Sequence, residues 1–367
     1  MKIHLKTGTL EILSNNREVL QSLTGFGSRH NKKRGFVFIS KVLGKHYPVR
    51  PAVMESAYRQ LATLISARLD GARPTMVIGF AETATALGYG VYQQLNLPHA
   101  FYIHTTRYQL NQPIWLNFQE EHCHAPTHLL YDVEDEQLRT LRDHAEQVVL
   151  IDDEFSTGRT LKNLVTQLRK KLPHVKTFIG ASLLRWMPHS LPNITCVSLY
   201  QGQFQFSAKA LTLPTVNQAI GQTEFALDTI IPYNFGRRGI QTPQFDYQHD
   251  INVQALQKQK VLVLGTGEFM YPAFLLGKFL EKQAVDVYVQ ATTRSPLNVD
   301  QDVTSKLTFV DNYYENIDNF LYNIKQYNQI IICYETTTLP DNHHLSRLLQ
   351  PYTNKVTTLF MRPFNHS

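Results

Sequence analysis

Short apolar runs bounded by turn residues recur in the first half of the chain, at residues 76–80, 100–104, 147–151 and 178–184. Runs of this length are typical of strands buried inside a sheet. Residues 83–95 and 160–172 instead place apolar side chains at helical spacing, and Pro173 directly follows the second segment. Strands that alternate with helices in this way predict an α/β fold with a parallel sheet.

The second half of the chain changes character twice. Residues 188–257 are rich in Gln, Thr, Pro and Phe, show little helical periodicity and include the alternating stretch GQFQFSA. This pattern predicts hairpins that lead into a linker. Strand-like and helix-like segments then return at residues 260–265, 272–282, 285–290 and 329–334. These segments predict a second, smaller α/β domain.

Length and composition narrow the class of protein. A chain of 367 residues is expected to form two domains, and 43% hydrophobic with 18% charged residues is ordinary for a folded protein. No segment has the pattern of a secretion signal or of a membrane-spanning helix. Three widely spaced cysteines without a Cys-x-x-Cys pair favour a reducing compartment. We therefore expect a cytoplasmic protein.

The formal net charge of +6 comes from basic residues that are scattered, apart from short patches at residues 32–34 and 237–238. This distribution argues against nucleic acid as a partner and favours small phosphorylated substrates. Lys41 and Lys45 belong to a basic segment that precedes the first predicted sheet strand. They are candidates to cover an anionic ligand, although an ordinary basic surface has the same composition.

The segment VVLIDDEFSTGRTLKNL places two carboxylates, Asp152 and Asp153, after a predicted buried strand. A small polar turn and a helix follow, so backbone N–H groups and the positive helix end can bind a phosphate monoester. The two aspartates can accept hydrogen bonds from sugar hydroxyls or hold a hydrated Mg²⁺. A strand-to-helix turn with capping acids is the structural alternative, but the length and order of the motif favour a ribose-phosphate site. Its turn residues are Glu154, Ser156, Thr157, Gly158, Arg159 and Thr160.

This run resembles the signature of the type I phosphoribosyltransferases, which has apolar residues, two acids, a short variable stretch and Thr-Gly-x-Thr. The resemblance implies that Asp152 and Asp153 bind the ribose hydroxyls of phosphoribosyl pyrophosphate with Mg²⁺, and that residues 156–160 hold its 5′-phosphate. Glu154 departs from the family, which usually has an apolar residue there. The implied fold is a parallel sheet with a hood over the active site.

The same resemblance predicts a pyrophosphate loop after an earlier strand, and residues Gly79, Ala81, Glu82 and Thr83 occupy that position. A carboxylate beside pyrophosphate repels it unless Mg²⁺ intervenes. Glu82 therefore either meets Mg²⁺, contacts the other substrate or caps the helix that follows. These three interpretations stay open.

After the next predicted strand, Thr106 and Arg107 stand where the family typically has a basic residue that opens a mobile hood. Arg107 is accordingly the candidate clamp for pyrophosphate. The hood segment FQEEHCHAPTH is dense in titratable groups. Three interpretations compete. The segment supplies acid/base or orienting groups that include Glu121, His122 and His124, it forms a transition-metal site from His122, His124 and His128, or it is a solvated loop.

The stretches SKVLGKHYPVRP, GFAETATALG, EEHCHAPTH and DDEFSTGRT together resemble one branch of the family, encoded beside tellurite-resistance and stress genes in bacteria. The remaining chain resembles the domain named for Thr-Arg-Ser-Pro, present here in VQATTRSPL and preceded by VLVLGTGEFMYPAF. The predicted domains are residues 1–236, phosphoribosyltransferase-like, and residues 237–367, a Rossmann-like TRSP domain. Six residues of that domain follow strands and are predicted to line a ligand cleft: Gly265, Gly267, Glu268, Thr293, Arg294 and Ser295.

Gly265 and Gly267 form a Gly-x-Gly without the third glycine of a dinucleotide-binding fingerprint, which argues against nicotinamide binding. A phosphate, a carboxylate or a docking surface would suit Arg294 equally well. The resemblance implies a pentosyltransferase that ribosylates a nitrogenous base or base-like acceptor, or runs the reverse reaction, and makes a nucleoside-like product. The acceptor is not identified by the sequence. Homodimers are common in the family. The alternatives are a sensor of phosphoribosyl pyrophosphate without turnover and a two-step enzyme in which the TRSP domain acts on the product.

Overall fold

A computed structural model describes residues 1–13, 16–29, 34–119, 127–187, 190–209, 227–242 and 251–362. The strands in chain order are β1 (Lys2–Leu5), β2 (Gly8–Leu13), β3 (Thr24–Ser28), β4 (Phe36–Ser40), β5 (Thr75–Gly79), β6 (Ala100–His104), β7 (Ile114–Gln119), β8 (Thr127–Tyr131), β9 (Gln147–Phe155), β10 (Thr177–Arg185), β11 (Thr195–Gln201), β12 (Gln203–Ala208), β13 (Lys260–Gly265), β14 (Asp286–Ala291), β15 (Lys306–Val310), β16 (Asp318–Tyr322), β17 (Tyr327–Tyr334) and β18 (Thr353–Phe360). The helices are α1 (Arg17–Leu23), α2 (Pro51–Ser66), α3 (Thr85–Leu95), α4 (Glu136–Asp143), α5 (Arg159–Lys171), α6 (Leu227–Ile230), α7 (Val253–Leu256), α8 (Tyr271–Lys282) and α9 (Leu345–Leu349), with a 3₁₀ turn at Gln350–Tyr352. Among these described helices, none combines the length and the apolar character that crossing a bilayer requires.

The chain divides into two compact units. The five-stranded unit comprises Glu55–Gln201 and Tyr233–Pro243, and the four-stranded unit comprises Met1–Met54, Gly202–Pro232 and Gln244–Ser367. These units differ from the predicted division between residues 236 and 237, because the first 54 residues group with the C-terminal sheet. The predicted division remains a prediction about sequence domains.

The five-stranded unit is built on a parallel sheet with the order β11-β10-β9-β5-β6. The central strand β9 is buried from Gln147 to Ile151, and α5 packs against this core with Leu161, Leu164, Val165 and Leu168. Their spacing of three and four residues gives α5 one apolar face. The antiparallel pair β7-β8 lies between β6 and β9 in the chain. The predicted strands and helices of this half are confirmed.

The four-stranded unit contains a second parallel sheet, with the order β14-β13-β17-β18. The predicted strand-helix-strand sequence is present as β13, α8 and β14, and the predicted run at residues 329–334 lies in β17. The N-terminal segment joins this unit, since Val49 and Val289 exchange backbone hydrogen bonds. The predicted α/β class with parallel sheets is confirmed.

The predicted hairpins after residue 188 are wrong for residues 190–209. Strand β11 instead lies parallel to β10 at the edge of the five-stranded sheet, and β12 pairs antiparallel with β2 near the N-terminus. Alternating residues are compatible with either arrangement, because the partner of a strand is chosen by packing over long sequence distances and not by its own pattern.

Candidate active site

Strands β5 and β6 of the five-stranded sheet end level with Ile151 of the longer strand β9. Gly79 at the end of β5 is paired with Ile151 of β9 on one side and with His104 of β6 on the other. Phe80 N donates to Ile151 O at 3.0 Å, and Thr105 N donates to Gly79 O at 2.9 Å. The segments that leave these strands therefore share one edge of the sheet, where ligands bind in open α/β sheets.

The two aspartates lie in β9 itself, which continues to Phe155 rather than ending at residue 151 as predicted. Asp152 is in register with Ser182 of β10, and Asp153 N donates to Asp152 Oδ1 at 2.9 Å. Asp152, Asp153 and Glu154 are all partly buried. Both aspartates thus remain reachable by polar ligands at the rim of the sheet.

The turn after β9 leads directly into a helix. Gly158 adopts a φ of +72°, and a Cβ at this position would lie against Met187 Sδ. Helix α5 begins at Arg159, so Arg159 and Thr160 form its first turn. Thr157 and Arg159 are exposed, whereas Ser156 and Thr160 are partly buried. An accessible helix N-terminus with hydroxyl groups around it is suited to bind an anion.

The loop after β5 is held by a residue that the prediction did not select. Ala81 N donates to Thr105 Oγ1 at 2.8 Å, and the same hydroxyl lies 2.9 Å from His128 Nδ1. The peptide bond between Ala81 and Glu82 is cis. Glu82 and Thr83 are partly buried, and α3 begins two residues later. The position of Thr105 directly after a strand was the only sequence signal for it.

The predicted clamp segment is anchored from a distant part of the chain. Thr106 is fully buried, and its hydroxyl accepts hydrogen bonds from Tyr108 N and from Arg237 Nε, each at 3.1 Å. Arg237 is only 3% exposed, and its guanidinium lies 5.7 Å from the centre of the Tyr108 ring. Arg107 is partly buried. The Thr106 hydroxyl therefore organises this segment, and Arg237 is a site-region residue that sequence reasoning missed.

The hood residues Glu121, His122 and His124 lie outside the described residues. Within the described part of this segment, His128 is 1% exposed and stacks on Phe118, with ring centres 4.7 Å apart. In the described ranges no group of three His, Cys, Asp or Glu side chains is arranged to hold a metal ion. The acid/base and transition-metal interpretations of the hood therefore remain predictions.

The two predicted lysines belong to the four-stranded unit. Lys41 is partly exposed, and its Nζ donates to Gln21 O at 3.0 Å. Lys45 is 1% exposed, and its Nζ donates to Gly267 O at 2.8 Å. Their role in covering a donor phosphate remains a prediction, whereas Lys45 has a visible role in holding the loop after β13.

The six predicted residues of the TRSP segment come together in the four-stranded unit. Gly265 ends β13 in register with Ala291 of β14, and Thr292 N donates to Gly265 O at 3.0 Å. Thr292 Oγ1 in turn accepts from Gly267 N at 3.0 Å. The two predicted loops therefore bond to each other directly at the carboxyl edge of this sheet. All six predicted residues are buried or partly buried.

Comparisons with solved structures find the adenine phosphoribosyl transferase of Trypanosoma brucei, solved with AMP, pyrophosphate and ribose-5-phosphate. It is 16% identical, covers 52% of this chain and 86% of its own, and has a TM-score of 0.35. The adenine phosphoribosyltransferase of Thermoanaerobacter pseudethanolicus is 15% identical, and the match covers 51% of this chain and 99% of that protein, with a TM-score of 0.35. The hypoxanthine phosphoribosyltransferase of Staphylococcus aureus is 12% identical, and the match covers 43% of this chain and 79% of that protein, with a TM-score of 0.27. No curated protein sequence matches the chain.

Two family models match consecutive parts of the chain. Residues 23–203 match the family described as phosphoribosyl transferase, and residues 237–351 match the TRSP domain found C-terminal to it. The residues described at the edge of the five-stranded sheet lie within the first match, apart from Arg237, which is the first residue of the second match. The chain belongs to the phosphoribosyltransferases that carry a C-terminal TRSP domain, and so to the pentosyl-transferring enzymes.

Proposed function

We propose that the chain uses phosphoribosyl pyrophosphate and Mg²⁺ to ribosylate a nitrogenous base or base-like acceptor, or catalyses the reverse reaction. The observation that carries this proposal is the register of β6, β5 and β9, which brings three functional segments to one sheet edge. These segments follow His104, Gly79 and Ile151. Family membership supports the reaction type, and the shared sheet edge supports our assignment of the parts of phosphoribosyl pyrophosphate to these segments.

Each part of the donor is assigned to a different segment. The 5′-phosphate binds at the turn of residues 156–160, where the N-terminal end of α5 favours negative charge. Asp152 and Asp153 accept hydrogen bonds from the ribose hydroxyls. The pyrophosphate lies against the loop of residues 79–83, with Arg107 as its cationic partner. This division avoids placing the aspartates against the 5′-phosphate, which they would repel.

The carboxylates at this edge are suitable ligands for Mg²⁺, although they would not fill its coordination sphere by themselves. Asp152 and Asp153 offer carboxylate oxygens, which Mg²⁺ prefers. Mg²⁺ usually keeps several waters and takes its remaining ligands from substrate oxygens, so two protein carboxylates suffice. When bound, the ion would neutralise pyrophosphate charge, and Glu82 would then be tolerated beside the leaving group.

In the forward reaction the bond from ribose C1 to the pyrophosphate oxygen breaks, and a bond from C1 to an acceptor nitrogen forms. Pyrophosphate leaves with the electron pair, and the acceptor nitrogen loses its proton. Positive charge develops on the ribose and negative charge on the departing oxygen, so Arg107 stabilises the leaving group and the aspartates hold the ring in position. Water must be kept from C1, and this is the role we assign to the hood with Glu121, His122 and His124.

The resemblance further predicts a nucleoside-like product linked to stress or tellurite resistance and a possible homodimer. These points do not affect the first test, which concerns binding of phosphoribosyl pyrophosphate.

Calorimetric titration of phosphoribosyl pyrophosphate into the wild-type chain, with and without Mg²⁺, should give Mg²⁺-dependent binding. The double variant Asp152→Asn with Asp153→Asn should bind at least about 100-fold more weakly, because charged hydrogen bonds contribute roughly 1.5–3 kcal/mol each.

A matched control is Glu136→Gln, an exposed carboxylate in the first turn of α4 in the same unit, which should bind like wild type. Turnover is then followed as pyrophosphate release in the presence of a panel of purine and pyrimidine bases. Arg107→Ala should lower turnover by about 100-fold or more, as is typical when a group that stabilises developing charge is removed. Absence of donor binding by the wild-type chain with Mg²⁺ would refute the proposal.

A further inference from the structure

The strand order of the four-stranded unit creates a switch point beside β13. The chain passes from β13 through α8 to β14 on one side, and β17 later adds to the other side of β13. In open parallel sheets, the carboxyl ends of the two strands at such a point border a crevice that binds ligands. Gly265 is in register with both Ala291 and Cys333, so the segments after all three strands leave the sheet at the same level.

Charged side chains are concentrated at this edge and are withdrawn from water. Glu268 and Glu335 are each 2% exposed. The side chains of Arg294 and Glu315 are 16% and 10% exposed, and Arg294 Nη2 lies 3.2 Å from Glu315 Oε2. Tyr313 OH donates to Glu335 Oε2 at 3.1 Å and lies 3.3 Å from Thr266 O. We call the set of Glu268, Arg294, Tyr313, Glu315 and Glu335 the Glu315 cluster.

Neighbouring polar residues serve to hold the cluster rather than to bind. Asp311 accepts backbone hydrogen bonds from Tyr313 N, Glu315 N and Ile317 N at 2.7, 3.2 and 2.9 Å. It thereby holds the turn that presents Glu315. Lys45 Nζ fixes the carbonyl of Gly267 in the facing loop.

Among the buried polar atoms at this edge, two that lack a hydrogen-bond partner within the described part of the chain bear on ligand binding. They are Glu315 Oε2, which meets Arg294 only as an ion pair, and the hydroxyl of Thr266, which is fully buried. Buried polar groups are normally hydrogen-bonded, and leaving one unsatisfied costs roughly 1–3 kcal/mol. A ligand that brings hydrogen-bond donors to Glu315 would remove this cost.

The charge balance selects among ligand classes. At this edge the described residues include three glutamates and Asp311, whereas Arg294 and Lys45 are the cations described there. Burial is the main cause that raises the pKa of Glu315 to about 7; Arg294 opposes this rise, whereas Asp311 and Glu268 contribute to it. A phosphate would add two negative charges to a site where even one carboxylate ionises reluctantly. The phosphate or carboxylate ligand considered for Arg294 on sequence grounds is therefore disfavoured.

We propose that the Glu315 cluster is a second ligand site, which binds an uncharged hydroxyl-bearing molecule of the sugar or nucleoside class without a phosphate group. Hydroxyl groups of the ligand donate to the carboxylates of Glu315 and Glu268. Arg294 holds Glu315 in place as a positioning residue. This inference does not depend on the proposed transferase reaction, because it concerns different residues in the other compact unit.

The test uses the full chain with Asp152→Asn and Asp153→Asn, so that the donor site is disabled. Adenosine, uridine and methyl β-D-ribofuranoside are titrated by saturation-transfer NMR and calorimetry, with AMP and UMP as phosphorylated partners. At least one uncharged probe should bind, and its phosphorylated counterpart should bind at least about tenfold more weakly. At pH 8, above the pKa of Glu315, adding Glu315→Gln should weaken binding of the uncharged probe about tenfold, because a charge-assisted acceptor is lost.

Asp341→Asn, an exposed carboxylate of the same unit, is the control and should leave binding unchanged. Thermal melting checks folding, and Glu315→Gln should melt no lower than its parent at neutral pH, so weaker binding would not reflect unfolding. The proposal is overturned if none of the three uncharged probes binds, if AMP or UMP binds more tightly than its nucleoside, or if Glu315→Gln binds like its parent. Because the donor site is disabled in every variant of this test, failure of the proposed transferase reaction would not change its outcome.

Discussion

Thr105 accepts a hydrogen bond from the backbone of Ala81 at 2.8 Å, and this contact joins the segments that follow β6 and β5. The same hydroxyl lies 2.9 Å from Nδ1 of His128, which is buried at the start of β8. One small side chain thus connects the predicted pyrophosphate loop, the predicted clamp segment and the described end of the hood. Because all three atoms are buried, each of these contacts constrains the loop more strongly than an exposed hydrogen bond would.

Thr105→Val should impair the site without a change in side-chain volume. The variant leaves Ala81 N buried without an acceptor, which costs roughly 1–3 kcal/mol. We expect the free energy of unfolding to fall by this amount and KM for phosphoribosyl pyrophosphate to rise several-fold. Thr105→Ser keeps the hydroxyl and should restore KM to near the wild-type value. Equal KM values for the valine and serine variants would show that this hydrogen bond does not order the loop.

Gly158→Ala should distort the turn before α5. A residue with a side chain is strained at a φ of +72°, by roughly 1–2 kcal/mol, and its Cβ would press on Met187 Sδ. Donor affinity should fall about tenfold, measured by calorimetry with Mg²⁺. Gly71→Ala is the control, because a Cβ there meets only Leu97 Cδ2 at 3.8 Å. If both alanine variants bind the donor alike, the shape of this turn does not matter for binding.

Arg237→Met should lower stability and activity together, although the residue lies at the start of the TRSP match. The change removes the hydrogen-bond donor to Thr106 Oγ1 and leaves buried partners unpaired. The free energy of unfolding, measured by urea denaturation, should therefore fall by about 2–4 kcal/mol. The neighbouring Arg238 pairs with Glu134, which is 58% exposed. Arg238→Met should therefore cost less than about 1 kcal/mol. Equal losses for the two variants would contradict a specific anchoring role for Arg237.

His343 should make the protein less stable in mild acid. Burial lowers its pKa, its Nδ1 lies 2.7 Å from Val310 O and its Nε2 lies 2.7 Å from Tyr334 OH. The unfolded chain takes up a proton near the ordinary pKa of about 6.5, whereas the folded protein resists it. Stability is therefore lost as the pH falls below about 6.5, by roughly 1.4 kcal/mol for each pH unit until the folded pKa is reached. His343→Gln should flatten this slope, and the exposed His344→Gln should not.

Glu315 should act in the opposite direction. Its folded pKa of about 7 exceeds its ordinary value, so the folded protein binds the proton more tightly and stability falls as the pH rises from about 4.5 to about 7. Glu315→Gln resembles the protonated side chain and should gain up to about 3 kcal/mol over wild type at pH 8, with little difference near pH 4. Urea unfolding at both pH values measures this. A glutamine variant that is less stable than wild type at pH 8 would contradict a buried, reluctantly ionised Glu315.

The local pattern of the sequence was sufficient for the two central sheets. The strands β5, β6, β9, β10, β13 and β14 each contain a short apolar run, and α5 has one apolar face, so these elements follow from burial of their own side chains. The motif of Asp152, Asp153 and Gly158, which runs from a strand through a turn to a helix, could likewise be read from neighbouring residues in the sequence. Parallel pairing then brings any such strand ends to one edge, which is why the donor-site segments could be predicted to lie together.

Only the tertiary structure decided which distant segments complete these sites. Arg237 reaches Thr106 across 131 positions of the chain, and Lys45 reaches Gly267 across 222. Strand β12 likewise pairs with β2 instead of forming a local hairpin. Contacts of this kind have no local signature, because a buried arginine or lysine looks like a surface one until its partner and its loss of solvent are known. The sequence by itself determined the elements and the motif chemistry, whereas long-range packing determined the anchors and the buried charge of the Glu315 cluster.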